Sequence, residues 1–321
     1  MVRPATSADH AALLAVWQQN APRQGYAPRP EAEVDKLLFC HPYFSYKHTF
    51  IREEQGRAVA FICGCVGDDI PRGKERGYFT CLMAEPQWDT PETTTQLLNA
   101  LEDSFRAAGR TASAVTFFNP MDLPWVLPGS PGHEHNNMPG IATDLPLHDR
   151  MLAHGYTEAT QETAMYRTLA DFTVPETIRL QEQQAAAEGN RIGLYDPARC
   201  HGLDAMLQAL DNPDWITQIT EAGRTGALLP VALAGDTVAG FAGPVYPEPT
   251  GRGYFAGIGI APQYQHRHLG KLLFFRLCEE EKKAGAAYMS LFTGITNPAR
   301  RIYESAGFRS VRTFGVLLKT L

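Results

Sequence analysis

Between Gln265 and Lys271 the chain gathers Gln265, His266, Arg267, His268 and Lys271 around Gly270, and no acidic residue occurs from 262 to 278. Donors and positive charge at that density suit an anion. Ile258 to Ala261 is a short apolar run closed by Pro262, as at the end of a buried strand. From His268 onward Leu269, Leu272, Leu273 and Leu277 recur at the spacing of one helix face. A strand, a tight loop and a helix start leave backbone N–H groups without an intrahelical partner, and the helix dipole favours negative charge in front of them. A diphosphate fits that arrangement, with Gly270 putting no Cβ between it and the backbone.

A second constellation follows. Asn297-Pro-Ala-Arg-Arg-Ile-Tyr303-Glu-Ser-Ala-Gly307-Phe308 lies between strand-like runs at 287–293 and 311–318. Asn297 before Pro298 has the form of a helix N-cap and Tyr303 that of a core aromatic. Either can still turn a polar group toward a ligand.

Together the two stretches resemble the acetyl-CoA site of the GCN5-related N-acetyltransferases. That family's loop reads Gln/Arg-x-x-Gly-x-Gly/Ala, and Gln265-His-Arg-His-Leu-Gly270 departs from it by carrying His268 where the first glycine is expected. The resemblance implies acetyl-CoA as co-substrate, its carbonyl met by a backbone N–H near Ile258 and Ile260. Its diphosphate would lie on Gln265, His266, Arg267, His268, Leu269, Gly270 and Lys271, and its pantetheine arm on Asn297. Tyr303 would be the acid that protonates the departing thiolate. The acceptor would be an amine of a small molecule or peptide. The base that accepts the amine proton stays open between a water chain, Glu248, a histidine and a residue of the N-terminal half, because 253–259 holds no carboxylate where the family often has one. The absent base and His268 keep a second class in view, a regulatory or scaffold protein that binds acyl-CoA without transfer. The presence of both Asn297 and Tyr303 points to an enzyme.

The elements that position these residues occur twice. At 321 residues the chain exceeds one domain of ~100–200 residues. Arg76-Gly-Tyr-Phe79 recurs as Arg252-Gly-Tyr-Phe255 (252 − 76 = 176), and the same offset carries Pro86 onto Pro262, Leu97 onto Leu273 and Leu101 onto Leu277. Gly155 and Gly307 are offset by 152, so the first copy holds 24 extra residues (176 − 152), in the Pro- and Gly-rich stretch 120–147. The expected fold is α/β: two tandem acetyltransferase-like domains, each a mixed twisted β-sheet flanked by helices. The expected boundaries are 1–170 for a degenerate first domain, 171–190 for a connector and 191–321 for the cofactor-binding domain. This arrangement is similar to that of two-domain family members such as mycothiol synthase.

The offset of 176 sets Asp89, Glu92 and Thr94 over Gln265, His268 and Gly270, while the offset of 152 sets Leu145 and Met151 over Asn297 and Tyr303. Carboxylates there would repel a diphosphate, so the first copy is expected to be silent. The inserted stretch 125–140 is expected to form a lid or acceptor wall, with Trp125, Trp215 and Tyr246 as possible pocket aromatics. His133, Glu134 and His135 are adjacent and do not converge on a metal, and no metal is expected. A net charge of −6 and a pI near 5.9 argue against a nucleic-acid partner. No apolar run of membrane-spanning length and no signal peptide occur, which leads to an expected cytoplasmic location without a membrane partner. The six cysteines lack metal spacing and read as reduced core thiols.

Overall fold

The computed structural model describes residues 1–321. It divides into two compact units, one of Met1–Thr163 with Arg312–Leu321 and one of Ala164–Val311. The chain passes from the first unit to the second within the strand Thr157–Thr168 and returns within the strand Arg309–Thr320. These bounds differ from the expected ones. The segment 171–190 belongs to the second unit, where Ile178 and Ala185 of the helix Glu176–Ala187 are buried in its core. At the other end, Arg312–Leu321 belongs to the first unit. There Leu317 pairs with Val115, and Lys319 donates to the buried carboxylate of Glu102 at 2.8 and 3.0 Å.

In the first unit the strands lie in the order Val2–Pro4, Thr49–Glu54, Arg57–Cys65, Arg76–Ala84, Ala112–Val115 and Arg309–Thr320. Side chains alternate between the two faces. Phe61 and Cys63 pack toward the helix His10–Asn20, while Ala60 and Ile62 pack toward the helix Pro91–Ala107. In the second unit Asn190–Leu194, Pro230–Ala234, Thr237–Ala242 and Ile258–Ile260 form an antiparallel sheet in that order. The helices Leu203–Leu210 and Pro213–Thr225 cover one core and the helix Leu269–Lys283 the other.

The duplication is visible in the hydrogen-bond register. Arg76 pairs in parallel with Ala112, and Arg252 with Tyr288, so both partners are displaced by 176 residues (252 − 76 and 288 − 112). The repeated glycine has a steric cause. A Cβ at Gly77 would lie 2.3 Å from the ring of Phe105, and one at Gly253 would lie 2.9 Å from the carboxylate of Glu281, the residue 176 positions after Phe105. In each copy a helix side chain rests on the glycine Cα.

Among the cysteines Cys40 is exposed, unlike the expected core thiols, and the other five are buried; all six are free. Burial pushes the Cys63 thiol up to about 12. No helix is long and apolar enough to cross a membrane, and no group of three or more His, Cys, Asp or Glu side chains is arranged to hold a metal ion.

Candidate active site

The strand that runs through the second Arg-Gly-Tyr-Phe does not stay intact. Arg252–Gly253 pairs with Tyr288–Gly294, whereas Ile258–Ile260 pairs with Thr237–Ala242, and residues 254–257 lie between the two pairings. Two observations give this split its chemistry. Gly243 N–H reaches Gly257 O at 3.1 Å and Ala261 N–H reaches Ala239 O at 2.9 Å. In an antiparallel ladder that leaves Ala242/Ile258 and Gly240/Ile260 as the pairs that exchange no hydrogen bonds. The N–H groups of Ile258 and Ile260 therefore point away from Thr237–Ala242, out of the free edge of their sheet.

The edge leads into the loop. Pro262–Tyr264 forms a single 3-10 turn, and the 15-residue helix Leu269–Lys283 starts after His268. The backbone N–H groups of His266, Arg267, His268, Leu269 and Gly270 donate to no group of the protein, while Lys271 and Leu272 bond back to His268 O. Five such donors in sequence at a helix start make a concave anion site. Leu269 contributes only its backbone, because its side chain is buried in the core. The other side chains of the loop are exposed or half-exposed. Gln265 Nε2 donates to Ile260 O at 3.1 Å. Arg267 reaches Asn190 Oδ1 and Gln263 O, both at 3.4 Å, with its guanidinium over the Tyr264 ring.

His268 adopts φ +58° and ψ 7°, the left-handed conformation that glycine enters without strain, and His266 does likewise at φ +63°. His268 thus holds, without being glycine, a backbone conformation that favours glycine. Replacing His268 with Gly should raise stability by about 0.5–1 kcal/mol, the αL penalty of a non-glycine residue less the chain entropy glycine adds. Urea midpoints measure it, and a loss of stability would show that the imidazole makes a compensating contact. At Gly270 a Cβ would meet only Ile302 at 3.6 Å and Ile260 at 3.7 Å, ordinary contacts, so protein packing does not demand glycine there.

Asn297 is exposed on the turn before the helix Arg300–Ser305, where its Oδ1 accepts from Ala299 N–H at 3.0 Å. The helix N-cap is Ala299, so Asn297 forms an Asx turn ahead of the helix and is not the cap itself. Its amide nitrogen stays available beside a depression of about 370 Å³ lined by Thr296, Pro298, Arg301 and Glu304 among others. Tyr303 is 4% exposed, with its ring 4.7 Å from Phe274 and 6.0 Å from Phe255. Phe255 belongs to the split segment, so Tyr303 stands beside the split. Burial pushes its phenol up to about 12, and the hydroxyl takes no hydrogen bond from the protein.

Of the possible bases, Glu248 is committed elsewhere. Both its oxygens accept from the buried Arg252, at 2.7 and 2.8 Å. Sequence reasoning missed Glu281, which is fully buried on the helix Leu269–Lys283. Its Oε1 accepts from Tyr246 N–H at 2.9 Å, while its Oε2 has no partner.

The first copy differs at the corresponding points. Thr90 caps its helix by accepting from Thr93 N–H at 3.2 Å, and Arg52 Nη1 donates to Thr93 Oγ1 at 2.8 Å. Asp89 is paired with Arg150 and, at 3.5 Å, with Arg23. The helix start is thus occupied by its own side chains and Asp89 is neutralised, while Glu92 keeps its carboxylate in the first turn, bonded by Gln96 Nε2 at 3.0 Å. Met151 is buried in the helix Pro146–Ala153 at the place of Tyr303. The inserted stretch lies within the first unit. Trp125 is fully buried, donating to Asn137 O at 2.8 Å and packing edge-on to Phe314, so it is a core residue; Glu134 pairs with Arg29. Met121, Leu123, Asn137 and Met138 leave a cavity of only about 40 Å³ against Phe79 and Thr80, the counterparts of Phe255 and Ala256.

Residues 199–308 match the model of the acetyltransferase (GNAT) family. Three solved structures share the fold. The glucosamine N-acetyltransferase region of a fungal multi-domain GH3 β-N-acetylglucosaminidase is similar at TM-score 0.69 and 17% identity, over 99% of this chain and 38% of that protein, so this chain spans well under half of it. A GCN5-related N-acetyltransferase from Sphaerobacter thermophilus gives 0.65 and 15%, over 100% of this chain and 95% of that one. A tandem GNAT protein from the clavulanic acid biosynthesis pathway gives 0.59 and 14%, over 100% and 98%. No curated protein matches the chain in sequence. The family model thus covers residues 199–308 of the second unit, and the chain as a whole shares the fold of these GCN5-related structures, a tandem GNAT protein among them.

Proposed function

We propose that the second unit transfers an acetyl group from acetyl-CoA to the amine of a small molecule or peptide. The observation that carries this is the run of unpaired N–H donors at 266–270, continuous with the free edge of Ile258–Ile260 and ending beside Tyr303. The diphosphate lies on the run, with Lys271 and the loop histidines beside it. The pantetheine arm follows the strand edge toward Asn297, and the thioester carbonyl accepts from Ile258 N–H. The amine nitrogen attacks that carbonyl, the carbon–sulfur bond breaks, Tyr303 gives its proton to sulfur, and the amine loses a proton to solvent. With Glu248 held by Arg252 and no carboxylate on 253–259, an acceptor amine of low pKa is favoured. A pure binder has no use for a partnerless phenol beside the thioester, which favours transfer over simple binding.

Acetyl-CoA should bind once per chain. Calorimetric titration gives the stoichiometry, and release of free thiol with a panel of amines gives the activity. Two equivalent sites, or loss of binding on changing residues 89–94 alone, would contradict the assignment to the second unit. Thiol release that no amine stimulates would contradict the transfer.

A further inference from the structure

The strand split is held open by a side chain. Trp215 Nε1 donates to Ala256 O at 3.0 Å, and its indole lies against Gly257, where a Cβ would fall 2.5 Å from the same nitrogen. The indole is itself fixed. Asn212 caps its helix by accepting from Asp214 and Trp215 N–H, both at 3.1 Å, and the Phe241 ring meets it edge-on at 5.3 Å. A trans peptide sets its C=O and N–H in opposite directions, so an Ala256 carbonyl turned to the Trp215 face turns Gly257 N–H to the other. That other face carries Phe255, Phe274 and Tyr303. Gly257 N–H donates to no group of the protein.

The first copy shows the same device at the same place. Thr80, 176 residues before Ala256, falls at a register shift in its strand pairing, and its carbonyl accepts from Tyr26 OH at 3.5 Å. There Asn119 Nδ2 donates to Phe79 O and Thr80 Oγ1, and the inserted stretch fills the space. In both copies an aromatic donor reaches the corresponding carbonyl, and in the second the N–H that follows it, that of Gly257, has no partner in the protein.

We propose that Trp215 is a positioning residue that aims Gly257 N–H into the split, where it joins Ile258 N–H as a second donor to the thioester carbonyl. This rests on acetyl-CoA being the donor. Two preorganised donors polarise a carbonyl more than one, and loss of such a donor lowers turnover by ~10²–10³-fold. Trp215→Phe keeps a ring against Gly257 and frees the Ala256 peptide to rotate, so a loss of about tenfold to a hundredfold is expected.

The test reads the carbonyl directly, without an acceptor. Acetyl-CoA labelled with carbon-13 at the carbonyl is bound to the full chain and its infrared stretch recorded. In the wild type the band should lie below its position in water, and in Trp215→Phe it should move back up while the Kd for CoA stays within about twofold. An identical band in both proteins would overturn the proposal. A second measurement needs no variant. In wild-type protein labelled with nitrogen-15 glycine, the Gly257 amide should shift downfield with acetyl-CoA and stay in place with CoA; equal responses to both would overturn it as well. Failure of the wild type to bind acetyl-CoA in the calorimeter would instead remove the donor assignment itself, and the two failures are distinguishable.

Discussion

Replacing Tyr303 with phenylalanine should lower kcat by ~10²–10⁴-fold and leave acetyl-CoA affinity unchanged, the pattern of a group that acts only as the thiolate leaves. The structure makes the substitution clean. The hydroxyl bonds to no protein group, so its removal orphans nothing, and the ring contacts with Phe274 and Phe255 survive. Stability should therefore change little. Burial raises the phenol to about 12, so the proton is present throughout the neutral range and Tyr303 itself puts no limb on the rate profile below about pH 11. Single-turnover measurement of acetyl transfer makes chemistry the observed step. An unchanged single-turnover rate would reduce Tyr303 to a packing residue.

The basic loop at 265–271 was legible in the sequence because everything in it is local. Its donors, the helix start at His268 and the strand end at Ile260 depend on neighbours within a few positions, and the structure has them where the pattern put them. The duplication was legible as a period, down to the parallel register of Arg76 and Arg252. What could not be read depends on partners distant in sequence. Gly253-Tyr-Phe-Ala-Gly-Ile258 looks like one strand, and its split is tied to an indole some forty positions earlier, Trp215 against Ala256. In the sequence Asp89 shows only its charge, whereas Arg150 and Arg23 set its effect in the fold. The last strands of the two copies are alike in pattern, both ending Thr-Leu, and nothing in an alternating strand says which sheet edge it will join. The pattern alone therefore joins Arg312–Leu321 to the copy that precedes it in the chain, whereas it pairs within the first unit.

Glu281 gives the second large effect, and here the measured quantity is stability. Burial raises its carboxyl from the ordinary 4.5 to about 8, against a backbone hydrogen bond from Tyr246 and the nearby Arg252, which favour ionisation, and with Glu248, which opposes it. The folded protein therefore keeps this proton between about pH 4.5 and 8, while the unfolded chain gives it up. Where the folded state binds more protons, stability falls as pH rises. The full contribution is present below about pH 4.5 and is lost through that window, on the order of a few kcal/mol in all. Glu281→Gln keeps an oxygen for Tyr246 N–H and cannot ionise. It should be more stable than the wild type at pH 8, with the gap closing toward pH 5. Urea midpoints of the two proteins at both pH values measure this, and every other titrating group cancels in the difference. A gap that does not change with pH would show that Glu281 ionises freely in the folded state. The first copy supplies the control: Phe105 rests on Gly77 as Glu281 rests on Gly253, so Glu281→Phe has a niche that the fold is known to accept. It too should flatten the pH dependence. It leaves Tyr246 N–H without its acceptor, so it should gain less than Glu281→Gln by about 1–3 kcal/mol, the cost of one unsatisfied buried donor.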